Sequence, residues 1–180
     1  STGTPIGWRP GIGDGTRITP LRIIGYQVAF TGWEHGLYFD RDESGGLGYI
    51  TMINCQFGDN QIGVYTGGDN NLFMNCYFQR NKSYALSINN ANVLNVIGGK
   101  IQYNGVETTK GQIFIAQSRN IKFSGVYLEP MSASFPEQNH NRAFIDFGSY
   151  IGRNVSNNIT LENCYLNAHE LTFLAQTVGT

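Results

Sequence analysis

Three acids of this chain stand where carboxyl chemistry could be done. Glu129 and Asp146 flank its longest interruption, "EPMSASFPEQNHNR" at 129–142, and would converge across a groove if that segment loops out. Carboxyl groups roughly 5 to 5.5 Å apart serve retaining glycoside hydrolysis, and groups roughly 6.5 to 9.5 Å apart serve inversion. Asp146 lies between apolar Ile145 and Phe147, so on a strand it faces outward. Asp40 stands two residues before Asp42 in "DRDESGG". Outward neighbours on one strand are about 6.8 Å apart, within the inverting range. For each acid alone the competing reading is a solvated surface carboxylate.

A second group has the chemistry of sugar contact. Tyr77, Lys100, Tyr127 and Tyr165 recur at one position of a repeat, and Gln79, Gln102, Glu129 and Asn167 recur two residues later. Sugar CH faces pack on aromatic rings while hydroxyls pair with amides and carboxylates, so tyrosines mixed with amides suit a glycan. The same ladders would also serve contact between subunits. Trp33, in "TGWEHGLYFD", is a candidate stacking residue or a staple under its own loop. His35, His140 and His169 share no metal-ligand spacing, and no Cys or His pattern suggests a metal or another cofactor.

Those positions are defined by a repeated unit. "MINCQF", "FMNCYF" and "LENCYL" carry Cys55, Cys76 and Cys164, and "IIGYQV", "VIGGKI" and "FSGVYL" align with them at Tyr26, Gly99 and Val126. The shortest spacings are 21 and 23 residues, with longer ones where segments are inserted, and such a period marks a solenoid. A second apolar strand follows each time, as in "IGVYT", "ALSIN", "QIFIA" and "AFIDF", and Asn71, Asn92, Asn120 and Asn158 stand ahead of the repeats. Each unit therefore reads as two strands joined by Asn-marked turns, with alternation of period two. No run of helix formers and no leucine-rich signature competes with this reading.

The expected fold is all-β, a parallel β-helix of about six coils. Equivalent side chains should stack in ladders, inward through Phe57, Phe78, Ile101, Leu128 and Leu166, and through Ile62, Leu86, Ile113, Ile145 and Leu171. The outward ladder should run from Gln27 and Gln56 to Tyr77. Cys55 and Cys76 become neighbours whose side chains point the same way. That suits a disulfide poorly, so they read as small buried hydrophobes.

Composition agrees. The 180 residues include 23 Gly and 19 Asn, residues of tight and left-handed turns. A net charge of -1 with 14% charged residues gives no support to a nucleic-acid partner. No stretch nears the roughly 18 apolar residues of a membrane span and Ser1 opens no signal peptide, so a soluble chain is expected. The sequons at Asn81, Asn154 and Asn158 are chance matches in an Asn-rich chain.

The repeated "NC-Y/Q-F/L" strands, the Asn-marked turns and the lead into the first coil, "GWRPGIGDGTRITPLRIIGYQVAFTGWEHGLYF", resemble the right-handed parallel β-helix of the pectate-lyase-like superfamily. Within it they resemble the bacteriophage tailspikes and capsule depolymerases. The resemblance runs from about Arg17 to the end, with residues 1–16 an extended lead-in and 17–180 the β-helix domain, a piece of a longer chain. It implies a homotrimer, recognition of a bacterial surface polysaccharide, hydrolysis by acidic residues, and a place on the virion tail or, alternatively, secretion from a bacterium. The calcium-binding Asp cluster and catalytic Arg of the pectate lyases have no counterpart here. The rival reading is a non-catalytic structural or adhesive shaft.

Overall fold

The computed structural model describes residues 22–39, 49–105, 112–129, 143–148, 156–167 and 173–178. Asp40, Asp42, His140, His169 and the lead-in at 1–16 lie outside them.

The described residues form a right-handed parallel β-helix of six coils, with three six-stranded parallel sheets. The first sheet contains β1 (Arg22–Tyr26), β4 (Tyr49–Ile53), β7 (Asn71–Met74), β10 (Leu94–Ile97), β13 (Arg119–Ser124) and β16 (Asn157–Glu162). The second contains β2 (Ala29–Thr31), β5 (Gln56–Gly58), β8 (Tyr77–Gln79), β11 (Lys100–Gln102), β14 (Tyr127–Glu129) and β17 (Tyr165–Leu166). The third contains β3 (His35–Phe39), β6 (Ile62–Gly68), β9 (Tyr84–Ala91), β12 (Ile113–Ala116), β15 (Ala143–Gly148) and β18 (Phe173–Val178).

A coil thus has three strands where the repeat predicts two. The continuous-looking "ITMINCQF" breaks at Asn54, whose φ of 54° is left-handed, and Asn75 (50°) and Asn163 (51°) break the later copies. Short polar Asn and Cβ-free Gly tolerate this conformation, which is why Gly98 and Gly125 stand at the same corner. The inward sequence runs Ile50, Met52, Cys55, Phe57, so alternation slips by one residue at the corner and then resumes.

Two registers also differ from expectation. Tyr26 pairs with Ile53 rather than Cys55, and Ala29 pairs with Gln56. Gln27, at φ 53°, is therefore the corner residue of the first coil and not a rung of the outward ladder. Ile62 pairs with Tyr84, while the inward ladder passes through Leu37, Val64, Leu86, Ile113 and Ile145. Ile145 pairs with Ala175 in backbone register, and Leu171, the expected last rung, lies outside the described residues. Ile62 and Val64 are both apolar and two apart, so alternation alone fits either.

The expected ladder from Phe57 to Leu166 is present in register, buried from Phe57 to Leu128 and exposed at Leu166 in the last coil. Phe30 stacks on Phe57 at 5.1 Å between ring centroids and Phe57 on Phe78 at 5.2 Å. Cys55 and Cys76 are free and fully buried among these side chains. Burial pushes the Cys76 thiol up to about 12.

Inside the corner between the second and third sheets runs a ladder of amides. Asn81 Oδ1 accepts from the backbone N–H and the Nδ2 of Asn60, each at 3.1 Å, and Asn104 Oδ1 accepts from Asn81 Nδ2 at 2.7 Å. Gln112 Oε1 takes the next place, accepting from Asn104 Nδ2 at 3.0 Å. These amides are buried and mutually satisfied, so they stabilise the turns rather than cost the desolvation of unpaired polar groups. Asn81, as part of a sequon, is buried here.

Candidate functional site

The outward surface of the second sheet carries two side-chain ladders. One runs Ala29, Gln56, Tyr77, Lys100, Tyr127, Tyr165, and the other runs Thr31, Gly58, Gln79, Gln102, Glu129. Three-residue strands between left-handed corners leave only these two outward positions per coil, so unlike side chains are forced together along the axis.

Glu129 is the centre of the best-organised cluster. Its Oε1 accepts from the Tyr103 hydroxyl at 3.1 Å and from Asn167 Nδ2 at 3.2 Å, and its Oε2 lies 3.4 Å from Lys100 Nζ. Its backbone carbonyl accepts from Gln112 Nε2 at 2.7 Å, which ties the strand end to the amide ladder. The carboxylate is therefore fixed by neutral donors and one cation, with little exposure. Gln102, one rung below, donates from Nε2 to Gln79 Oε1 at 3.0 Å, and its own buried Oε1 has no partner. An ionised Glu129 on the next rung has no hydrogen to offer it.

The tyrosines are unequal. Tyr127 stacks on Tyr165 at 5.2 Å and 14° between planes, and Lys100 Nζ sits 4.6 Å from the Tyr127 centroid. Both directions along the ladder are thus occupied around Tyr127, and its hydroxyl accepts from Asn167 Nδ2 at 3.2 Å. Tyr77 and Tyr165 are 51% and 61% exposed and are the rings best placed for a ligand.

Tyr103 was not among the residues singled out by the repeat. It follows outward Gln102 at a corner, with φ 55°, a conformation rare for a tyrosine, and nothing in "QYN" announces it. Desolvation first, and then the Glu129 carboxylate, raise the pKa of its phenol.

The other candidates lie elsewhere. Asp146 occupies the outward ladder of the third sheet, in register with Tyr65, Ser87 and Phe114, yet it is fully buried. The Tyr84 hydroxyl donates to its Oδ2 at 3.4 Å; burial, and then Asp146, push the Tyr84 phenol up. Glu129 and Asp146 thus belong to different sheets, joined by the segment 130–142, which lies outside the described residues. Trp33 is half-exposed in the first coil, and its backbone N–H donates to Asn60 Oδ1 at 2.9 Å. Four coils of about 4.8 Å place it roughly 19 Å along the axis from Glu129.

On the third sheet the Tyr38 and Tyr65 rings stack at 4.9 Å, with His35 edge-on to Tyr38 at 5.1 Å. Desolvation lowers the His35 pKa and outweighs the opposing effect of Glu34. Among the described residues, no cluster of three or more His, Cys, Asp or Glu could hold a metal ion. No described helix is long and apolar enough to cross a membrane.

No protein-family model matches the chain, and no curated protein sequence does. Solved structures with a similar fold include the A-module of the mannuronan C-5 epimerase AlgE4 of Azotobacter vinelandii, at TM-score 0.58 and 12% identity over 88% of this chain and 53% of that one. The enzymatically active domain of tailspike protein 2 of bacteriophage CBA120 aligns at TM-score 0.52 and 18% identity over 98% of this chain and 27% of that one. The AlgE6 A-module of A. vinelandii aligns at TM-score 0.51 and 12% identity, over 89% and 55%. The chain spans about half the length of the epimerase modules and about a quarter of the tailspike domain. At these identities the likeness is one of fold.

Proposed function

We propose that the outward face of the second sheet binds a bacterial surface polysaccharide, capsule or O-antigen, and that the chain is part of a tailspike-like receptor-binding protein. The observation that carries this reading is the Glu129 cluster. A carboxylate held by Tyr103, Asn167 and Lys100 lies between two exposed tyrosines on a face of amides. Amides accept from and donate to sugar hydroxyls, the carboxylate accepts from them, and Tyr77 and Tyr165 offer ring surface. The face pairs its one lysine with its one described glutamate, which favours a neutral or weakly charged glycan. The epimerase modules of similar fold are named for a polysaccharide, mannuronan, and the tailspike domain is described as enzymatically active, which supports a polysaccharide as ligand.

In the extended form of this reading the protein is a homotrimer on a virion tail and cleaves what it binds. Hydrolysis needs two carboxyl groups acting together, and the candidate pairs are Glu129 with Asp146 and Asp40 with Asp42. The test is incubation with purified capsular and O-antigen polysaccharides, following retention, size and reducing ends, for the natural chain, Glu129→Gln, Asp146→Asn and Asp40→Asn. Binding weakened by Glu129→Gln supports the reading, and cleavage lost in a carboxamide variant adds the hydrolase. No binding across a broad panel leaves a structural shaft.

A further inference from the structure

Gln79, Gln102 and Glu129 hold the same outward position in three successive coils. Gln102 Nε2 donates to Gln79 Oε1 at 3.0 Å in the coil before it, which turns the oxygen end of the Gln102 amide toward the coil of Glu129. That Oε1 is buried and has no partner. A buried acceptor left unmade carries its full desolvation cost, and a carboxylate on the next rung adds repulsion.

The amide ladder inside the corner runs the other way. Asn60 donates to Asn81, Asn81 to Asn104 and Asn104 to Gln112, and the series ends where Gln112 Nε2 donates to the Glu129 backbone carbonyl. Each donor there faces the later coil. A half-turn of the Gln79 and Gln102 amides about their last side-chain bonds gives the outer row the same sense. The oxygen and NH2 ends of an amide are nearly the same size, so the packing is kept.

Glu129 has room for the added bond. Its Oε1 accepts from Tyr103 and Asn167, its Oε2 meets Lys100, and a carboxylate offers about four acceptor sites. Glutamate and glutamine side chains have equal reach. A Gln102 amide that bonds a glutamine one coil below can therefore bond a glutamate one coil above.

We propose that, with Glu129 ionised, the outer row takes this reversed direction and makes Gln102 a specificity-determining residue of the second-sheet face. Gln79 Nε2 then donates to Gln102 Oε1, Gln102 Nε2 donates to the Glu129 carboxylate, and no buried acceptor is left over. Gln79 Oε1 becomes the free end of the row, on the same coil as the exposed Tyr77 ring. The rung below it is Gly58, which brings no side chain to meet it. An oxygen at that place accepts from a sugar hydroxyl and repels a sugar carboxylate. The inference rests on the glycan reading of this face and deepens it, since the Tyr77 end then selects a neutral, hydroxyl-rich glycan.

The test on the free protein is NMR of the side-chain amides in a chain carrying isotope-labelled glutamine, for the natural chain, Glu129→Gln and Gln102→Met. The Gln102 amide hydrogens should show contacts to the Glu129 side chain, and Glu129→Gln should shift them upfield while those of Gln56 stay in place. Gln102→Met should lower the folding equilibrium constant in urea titrations by about tenfold, because bonds on both sides of the amide are lost. Amide hydrogens that contact Gln79 alone, or a Gln102→Met chain as stable as the natural one, would overturn the proposal, since methionine would then only remove an orphaned acceptor. Binding to neutral and to uronate-bearing polysaccharides tests the specificity. Neutral members should bind tighter by about tenfold or more, and preference for the uronate-bearing ones would overturn it. No binding to either class would overturn the glycan reading, while the amide spectra would still decide the direction of the row.

Discussion

The Tyr103 hydroxyl donates to Glu129 Oε1 at 3.1 Å, from a left-handed corner one coil below the acid it holds. Ionising that phenol would lose the hydrogen bond and set a phenolate beside a carboxylate. Tyr103 should therefore titrate above the ordinary tyrosine value of about 10, as followed by NMR of ring-labelled tyrosine. Glu129→Gln should bring it part of the way down, because desolvation, the larger cause, remains. A Tyr103 titration unmoved by Glu129→Gln would contradict the bond.

The proposed glycan face predicts unequal tyrosines. Tyr77→Ala and Tyr165→Ala should each weaken polysaccharide binding by roughly five- to tenfold, as expected for loss of an exposed ring worth about 1 to 1.5 kcal/mol. Tyr127→Ala should cost less by direct contact, since Lys100 and Tyr165 occupy the space on either side of its ring. Calorimetric titration with a bound oligosaccharide measures all three, and equal losses would show that the ladder acts as a whole.

The amide ladder predicts a structural effect with no glycan readout. Asn81→Ala leaves the backbone N–H and Nδ2 of Asn60 without their acceptor and removes the donor to Asn104 and to the Phe57 carbonyl. The expected loss is about 2 kcal/mol or more in urea unfolding, because buried groups left unpaired carry their full desolvation cost. Asn95, a half-buried asparagine facing outward on the first sheet, should tolerate the same change within about 0.5 kcal/mol.

How much of this was legible in the sequence follows from what alternation records. Phe57, Phe78, Ile101, Leu128 and Leu166 share a phase and a marker, so their ladder could be read directly. The corner at Asn54 could not, because a one-residue slip from Met52 to Cys55 looks like continued strand when the flanking residues are apolar. The first coil has Gln27 where later coils have Asn or Gly, and its register was missed by two. Ile62 and Val64 lie on the same face two residues apart, a difference that period two does not distinguish. Glu129 was found because it repeats an outward position, whereas Tyr103 stands in a conformation its side chain seldom adopts and no spacing pointed to it.

Cysteine reactivity separates the three copies of the repeated strand. Cys55 and Cys76 are fully buried, and the Cys76 thiol is pushed up to about 12 by that burial, while Cys164 is partly exposed in the sixth coil. Under native conditions at about pH 8 a thiol reagent should modify Cys164 first, and the other two only as fast as the coil opens. Peptide mapping after timed labelling reads the order. Early modification of Cys76 would mean that the core ladder between Met52 and Phe78 is not closed.

His35 links the stacked tyrosines of the third sheet to pH. Its folded pKa lies below the ordinary 6.5 because burial disfavours the imidazolium. Above about pH 6.5 both folded and unfolded chains hold the ring neutral and stability is unaffected. As pH falls below that value the unfolded chain takes up a proton that the folded chain resists, so stability declines until the folded pKa is passed. Urea midpoints at pH values between about 7.5 and 5.5 should therefore fall, and His35→Phe, which keeps an aromatic edge against Tyr38, should flatten this part of the profile. A slope unchanged by that substitution would assign the loss to carboxylates instead and remove His35 from the account.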